Sequence, residues 1–301
     1  MKRKSMLITM AITMGLIICS ENTIAVAEGS LLNKAAEYSE TGEYSEDEEY
    51  SDSDESAIEV NLPQNSDDVI DEVTRFADEY KIKKLKKLLK KFPAIQKKAE
   101  KEIDMDNLWY VENKNHLTAS YDYAITNDDD FDYYYTGPLK KNKPDGIGIL
   151  WHSFENCEYL EDGEKKYIGE LKKGRFKGIG LELGEYSEMY DGIVDYYFGE
   201  FKDSRKSGFG LDVIGDVYVC GEFKKGYPNG EVVEYYKDLL VYEGGMKDGD
   251  FSGKGTTYYE DGTVEYKGEF KKGKYHGKGT LYDEDGNKVY SGKWKNGDYA
   301  S

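Results

Sequence analysis

From Tyr135 onward a short pattern recurs, and repetition at this period dictates architecture before any single residue does. Copies open at Tyr135, Tyr167, Tyr197, Val219, Tyr242, Tyr266 and Tyr290, at spacings of 32, 30, 22, 23, 24 and 24 residues. The long early spacings imply insertions after the first two copies, and the last copy is cut short at Ser301. The clearest copies begin at Tyr242 (YEGGMKDGDFSGKGTTYYEDGTVE) and Tyr266 (YKGEFKKGKYHGKGTLYDEDGNKV). A chain with 28 Tyr and 33 Gly favours strands and turns over a helical bundle.

The spacing within a copy predicts a hairpin. Lys272-Gly273 falls where a two-residue turn belongs, and Lys173-Gly174, Lys225-Gly226, Asp248-Gly249 and Asn296-Gly297 fill that place elsewhere. Asp-Gly and Asn-Gly are strong type I′ signals. Such a turn sets Phe270 opposite Tyr275, Gly268 opposite Gly277 and Tyr266 opposite Gly279, all on one face, with each Tyr over a glycine that leaves room for its ring. Asp285-Gly286 then links one hairpin to the next in an antiparallel meander. Leu181, Leu183, Leu211, Val213, Tyr258 and Tyr282 fall on the opposite parity. Either a bulge near the second glycine re-phases them, or both faces of the sheet carry apolar rows.

These copies resemble the MORN repeat family. The matching residues are Tyr266, Gly268, Phe270, Gly273, Gly277 and Gly279 in one copy, with Gly244, Gly249, Gly253 and Gly255 as the repeat glycines of the copy before it. A looser similarity links them to bacterial antitoxin-like repeat proteins related to MORN. Val219 replaces the opening Tyr, Ser204 the turn glycine and Val232 the second Gly of Gly-x-Gly, while the copy from Tyr135 has Asn142 at the turn and Pro138 in its first strand, an irregular edge or cap. The resemblance implies an elongated, twisted, single-layer antiparallel sheet of hairpins over 135–301 that serves as a scaffold or binding platform. Members elsewhere associate with membranes and acidic phospholipids or bind proteins, and some carry the repeats beside a catalytic domain. No such domain is recognisable here.

The segments before the repeats differ in kind. Lys2, Arg3 and Lys4, the apolar run from Met6 to Cys19, and Ala25-Val26-Ala27 describe a secretory signal peptide over 1–27, cleaved after Ala27. Lipidation at Cys19 is the alternative, although Ile18 stands where a small residue is expected. Residues 28–65 form an acidic segment. Eleven acidic residues and no basic one lie between Glu37 and Glu59, so this tract is expected to be disordered, as a solvated linker or as a docking segment for a cationic partner. A helical segment is expected over 66–106. Val69, Val73, Phe76, Tyr80, Leu85, Leu89 and Phe92 make one stripe, with Asn65 or Ser66 as cap and Pro93 as stop. Its lysines from Lys83 to Lys91 could lie on an anionic surface or simply be solvated. Residues 107–134 read as a linker or irregular cap. Cys157 and Cys220 either pair or are small buried apolar groups.

No run of apolar residues is long enough to span a membrane as a helix. A net charge of −19 argues against nucleic-acid binding. His116, His152 and His276 form no spaced metal set, and neither a nucleophile elbow nor a phosphate loop is present, so no catalytic residue, metal site or cofactor is assigned. Two readings remain: an exported scaffold engaging a protein or cell-envelope component, and a carbohydrate or cell-wall module stacking sugars on aromatic rows. A hydrolase stands behind both. The chain has only Trp109, Trp151 and Trp294, whereas wall-binding hairpins tend to be Trp-rich, which favours the scaffold. A net charge of −6 over 135–301, from 25 basic and 31 acidic residues, weakens phospholipid binding by the repeats and leaves the Lys83–Lys91 stretch as the membrane-facing candidate. The candidate binding row is Tyr197, Phe201, Tyr242, Tyr266, Phe270 and Tyr290 on one sheet face. Its alternative role is to stack as the core of the array.

Overall fold

The computed structural model describes residues 62–101, 109–110, 132–141, 143–153, 164–184, 186–187 and 192–300. The segment expected as a signal peptide, the tract expected to be disordered, His116 and Cys157 lie outside the described residues. Fifteen strands form one antiparallel sheet in chain order. They are β1 (Trp109–Tyr110), β2 (Asp132–Thr136), β3 (Gly146–Ser153), β4 (Glu164–Lys172), β5 (Arg175–Leu183), β8 (Asp195–Lys202), β9 (Arg205–Ile214), β10 (Val217–Lys224), β11 (Tyr227–Tyr236), β12 (Leu239–Lys247), β13 (Asp250–Tyr258), β14 (Val264–Lys271), β15 (Lys274–Tyr282), β16 (Lys288–Lys295) and β17 (Asp298–Ala300). Between β5 and β8, a side hairpin of β6 (Tyr186–Ser187) and β7 (Gly192–Ile193) fills an early insertion. The segment expected as a linker or cap supplies β1, which extends the sheet by pairing Trp109 with Tyr135.

The two-residue turns form as the dipeptides predict. Lys272 and Gly273 have φ of 51° and 73°, and the pairs at 173–174, 225–226, 248–249 and 296–297 are likewise both positive, as type I′ demands. Ser204 holds this conformation without being glycine, at φ 60°, and its Oγ accepts the Phe176 N–H at 3.0 Å.

The register departs from the expected one in a specific way. Phe270 does face Tyr275, but Gly268 faces Gly279 and Tyr266 faces Leu281. Gly277 and Lys278 are the extra residues of a bulge, with Gly277 at φ +58°, so Gly277 leaves the row assigned to it. The Glu269 carboxylate folds over the bulge and accepts the Lys278 N–H at 3.2 Å; Glu200 does the same for Phe209 at 2.9 Å. The second glycine keeps its expected function, because a Cβ on Gly279 would collide with the Tyr266 ring.

Two hydrogen bonds recur with the copies. Five of the six opening tyrosines donate the hydroxyl to the carbonyl three residues on: Tyr167 to Glu170, Tyr197 to Glu200, Tyr242 to Gly245, Tyr266 to Glu269 and Tyr290 to Lys293, at 2.7–3.2 Å. This satisfies a polar group that burial would otherwise leave costly. The second turn residue of each hairpin donates its N–H to a carbonyl of the copy before: Gly174 to Pro144, Ser204 to Phe176, Gly226 to Lys206, Gly249 to Pro228, Gly273 to Phe251 and Gly297 to Tyr275.

The irregular copy at Val219 is compensated in volume. Val232 faces Gly221 as Gly279 faces Gly268, so Val232 fills the space a ring takes elsewhere, and Val219 is the shortened partner. Val219→Tyr alone should therefore destabilise the protein by about 1–3 kcal/mol through overpacking. Adding Val232→Gly should recover most of that loss in urea denaturation, and absence of recovery would mean that the two positions do not share a space.

Both faces of the sheet carry apolar rows, which resolves the parity conflict together with the bulges. Leu181, Leu183, Leu211 and Val213 lie on the face covered by helices. The helical segment expected over 66–106 holds three helices: α1 (Ser66–Glu79), α2 (Lys83–Leu89) and α3 (Phe92–Lys101). Lys81 takes φ 56° and breaks the run. Pro93 starts α3 instead of stopping a helix, since a proline in a first turn forfeits no intrahelical bond. Asn65 is the cap, its Oδ1 accepting the Asp67 and Asp68 N–H groups at 2.8 and 3.2 Å. Val69, Val73, Phe76, Leu85, Leu88 and Phe92 are buried against the sheet. Phe76 stacks on Tyr218 with centroids 5.6 Å apart, and Phe92 meets Phe198 edge-on at 5.2 Å. Tyr218 donates to Glu72 at 2.5 Å, and Lys84 pairs with Glu222 at 3.0 Å. Among the described residues, no helix is long and apolar enough to cross a membrane.

Candidate functional site

The expected aromatic row faces inward on itself. Tyr197, Phe201, Tyr242, Tyr266 and Phe270 are at most 4% exposed, and of the six only Tyr290 is partly open. The rings alternate face and edge along the array. Tyr242 stacks on Phe251 and Tyr266 on Tyr275 at 3.8 Å, while Tyr242 meets Phe270, and Tyr266 meets Trp294, edge-on at 5.5 and 5.4 Å. Such a ladder gives each hairpin a core that no single hairpin could bury. An exposed aromatic surface, the premise for binding through this row, is thus missing at five of its six positions.

Between the opening residues, the same face carries acids. The cross-strand row reads Tyr167, Glu182, Tyr197, Asp212, Val219, Glu234 and Tyr242. Glu182, Asp212 and Glu234 are all buried. Burial pushes the Asp212 carboxyl up, and Lys206, 2.5 Å away, opposes it. Lys206 occupies the place of Phe176 or Tyr275 in other copies, and its ammonium lies 5.4 Å from the Tyr197 ring centre. Glu265, beside Tyr266, is pushed up to about 7 by burial. Between its ordinary value of 4.5 and about 7, the folded chain holds a proton that the unfolded chain releases, so stability falls as pH rises through that window. Glu265→Gln should remove about 1–3 kcal/mol of that decline, read as a flatter difference between urea midpoints at pH 5 and pH 8. An unchanged slope would show that another group titrates there.

The opposite face changes character along the sheet. Its cross-strand row runs Ile149, Ile168, Leu181, Phe198, Leu211, Cys220 and Val233, then Glu243, Thr256, Lys267, Thr280 and Ser291. The apolar part lies under the helices and the polar part is uncovered. Cys220 is buried within the apolar part as a free thiol, which burial pushes well up, so it is a packing residue. Where helix cover ends, at Ile82, a groove of about 760 Å³ opens over the bare strands. Lys254, Lys267 and Lys278 stand on its floor, and Lys293 follows directly opposite Lys278. All four are exposed, and none makes an ion pair among the described residues. Three carboxylates also line the groove: Glu243 accepts the Tyr258 hydroxyl at 2.7 Å, Glu269 accepts the Lys278 amide, and Glu231 is exposed. Lys278 and Lys293 stand directly opposite each other on neighbouring strands, where like charges repel, whereas Lys254 stands opposite Glu269 without an ion pair at bonding distance among the described residues. Among the described residues, no cluster of His, Cys, Asp or Glu is arranged to hold a metal ion.

The MORN repeat family model matches residues 197–211, 220–238, 242–264 and 266–288. No curated protein matches the sequence. The stretch from 197 to 288 is built of MORN repeats, and the hairpin from Tyr167 makes the same tyrosine and turn hydrogen bonds outside it. MORN repeats are commonly protein- or membrane-binding modules and are not a known enzyme family.

The lysine floor was missed in the sequence although a signal for it is present. The residue between Tyr and Gly of each opening, together with the one after Gly-x-Gly, faces the helix side. Those positions read Ile168, Leu181, Phe198, Leu211, Cys220 and Val233, then switch to Glu243, Thr256, Lys267 and Thr280. That switch marks where cover ends.

Proposed function

We propose that the protein is an exported binding scaffold that engages a protein or cell-envelope component through the uncovered helix-side face of β12–β16. The observation that supports this most is the set of four exposed lysines, without an ion pair among the described residues, on a sheet whose other face is closed by its own rings. A surface of this kind suits an anionic partner, because cations held on a rigid sheet need no ordering on contact. The α2 lysines lie on the same side of the sheet, but Leu85 and Leu88 are buried against it. Membrane contact there would be electrostatic, without insertion of an apolar stripe.

The test compares the parent protein with Lys254→Glu/Lys267→Glu/Lys278→Glu in retention on an immobilised envelope fraction from the producing cells. Loss of retention at an unchanged melting temperature supports the reading, and equal retention of the two sinks it. Retention by purified cell-wall glycan, competed by free sugar and insensitive to the lysine changes, would favour the carbohydrate module. Export is checked separately: the secreted form should begin at Glu28, and a chain that keeps Met1 inside the cell would refute it.

A further inference from the structure

We propose that the lysine floor of the bare sheet is a docking site for the chain's own acidic tract, residues 37–59, which shields it until a stronger anion displaces the tract. Charge complementarity is the first argument. The tract carries eleven acidic residues and no basic one, whereas Lys254, Lys267, Lys278 and Lys293 are exposed without a carboxylate partner among the described residues. Such a set draws in the densest negative charge within reach.

Tethering is the second argument. The described chain starts on the helix side of the sheet, where the Pro63 carbonyl accepts the Ile193 N–H at 2.7 Å and Leu62 lies against Gly192. Six strand steps separate β8 from β14, roughly 29 Å at the usual strand spacing. Residues 37–49 lie 13 to 25 positions upstream of Leu62, a reach of roughly 43–83 Å when extended. The tract therefore spans the distance with slack, and its tether holds it near the floor at an effective concentration of about a millimolar.

Composition is the third. Tyr38, Tyr44 and Tyr50 punctuate the tract every six residues, so the bound segment offers rings to the apolar edge of the groove at Ile82 and Phe209 while its carboxylates meet the lysines. The docking needs no external partner, and its test is therefore independent of the proposed function.

The experiment is lysine-selective acylation of the full chain, read by mass spectrometry at each site. Three forms are compared: the parent, a deletion of residues 37–59, and a full-length variant carrying Glu46→Gln, Asp47→Asn, Glu48→Gln and Glu49→Gln. At low salt, Lys254, Lys267 and Lys278 should react about three- to tenfold more slowly in the parent than in either variant, as a tethered segment of modest affinity implies. The turn residue Lys173 should react equally in all three. High salt should erase the difference, and a free peptide of residues 37–59 should restore protection to the deletion form. Equal rates in parent and variants at low salt overturn the proposal. So does protection that survives the deletion and grows with protein concentration, which would assign the face to a second copy of the chain.

Discussion

Tyr242→Ser together with Tyr266→Ser should abolish the cooperative melt of the C-terminal hairpins. Each ring is fully buried, and truncating a buried aromatic costs about 3–5 kcal/mol. The pair thus removes an amount comparable to the whole stability of an ordinary domain. The loss has a definite geometry. Without Tyr266, Tyr275 loses its stacked partner, and both Phe270 and Trp294 lose an edge-on contact. The hydroxyl that satisfies the Glu269 carbonyl is also gone. Because stability in such arrays is a sum of neighbour terms, hydrogen exchange should show β12–β17 opening while β3–β9, buttressed by the helices, stays protected. A double variant that melts like the parent would mean the rings are not the core, and would return them to candidacy as a binding surface.

Lys206→Met should be the most damaging change of a single charged residue. Asp212 is 2% exposed and lies 2.5 Å from Lys206. Removing one member of a buried pair leaves the other uncompensated, at about 3–5 kcal/mol. The neighbouring copies supply the rescue. Where this copy has Lys206 and Asp212, the copy from Tyr266 has Tyr275 and Leu281. Lys206→Tyr/Asp212→Leu should therefore recover most of the stability, measured by urea denaturation at pH 7. If Lys206→Met costs no more than Lys271→Ala on the solvated surface, the pair carries no structural weight.

How far the sequence disclosed this molecule depended on whether local or distant contacts decide each feature. Turn dipeptides such as Asp248-Gly249 impose their backbone within two residues, and they formed as expected. The opening Tyr and its glycine are joined by one hairpin, so the ring-over-glycine contact was legible too. Gly277 was misplaced because a bulge glycine and a row glycine look alike in a one-dimensional pattern; only the hydrogen-bond register separates them. The break at Lys81 was invisible because lysine carries no propensity for that conformation. The aromatic row read as equally fit to bind or to pack, and only the closeness of successive rings decides for packing.

The turn hydrogen bonds all point one way. Every donor is in the later copy and every acceptor in the earlier one, from Gly174 reaching Pro144 through to Gly297 reaching Tyr275. Through these backbone bonds a newly made hairpin clasps something that has already left the ribosome. Chains that emerge N-terminus first can therefore lay down this sheet in the order of translation, each finished turn latching onto its predecessor like rows of knitting.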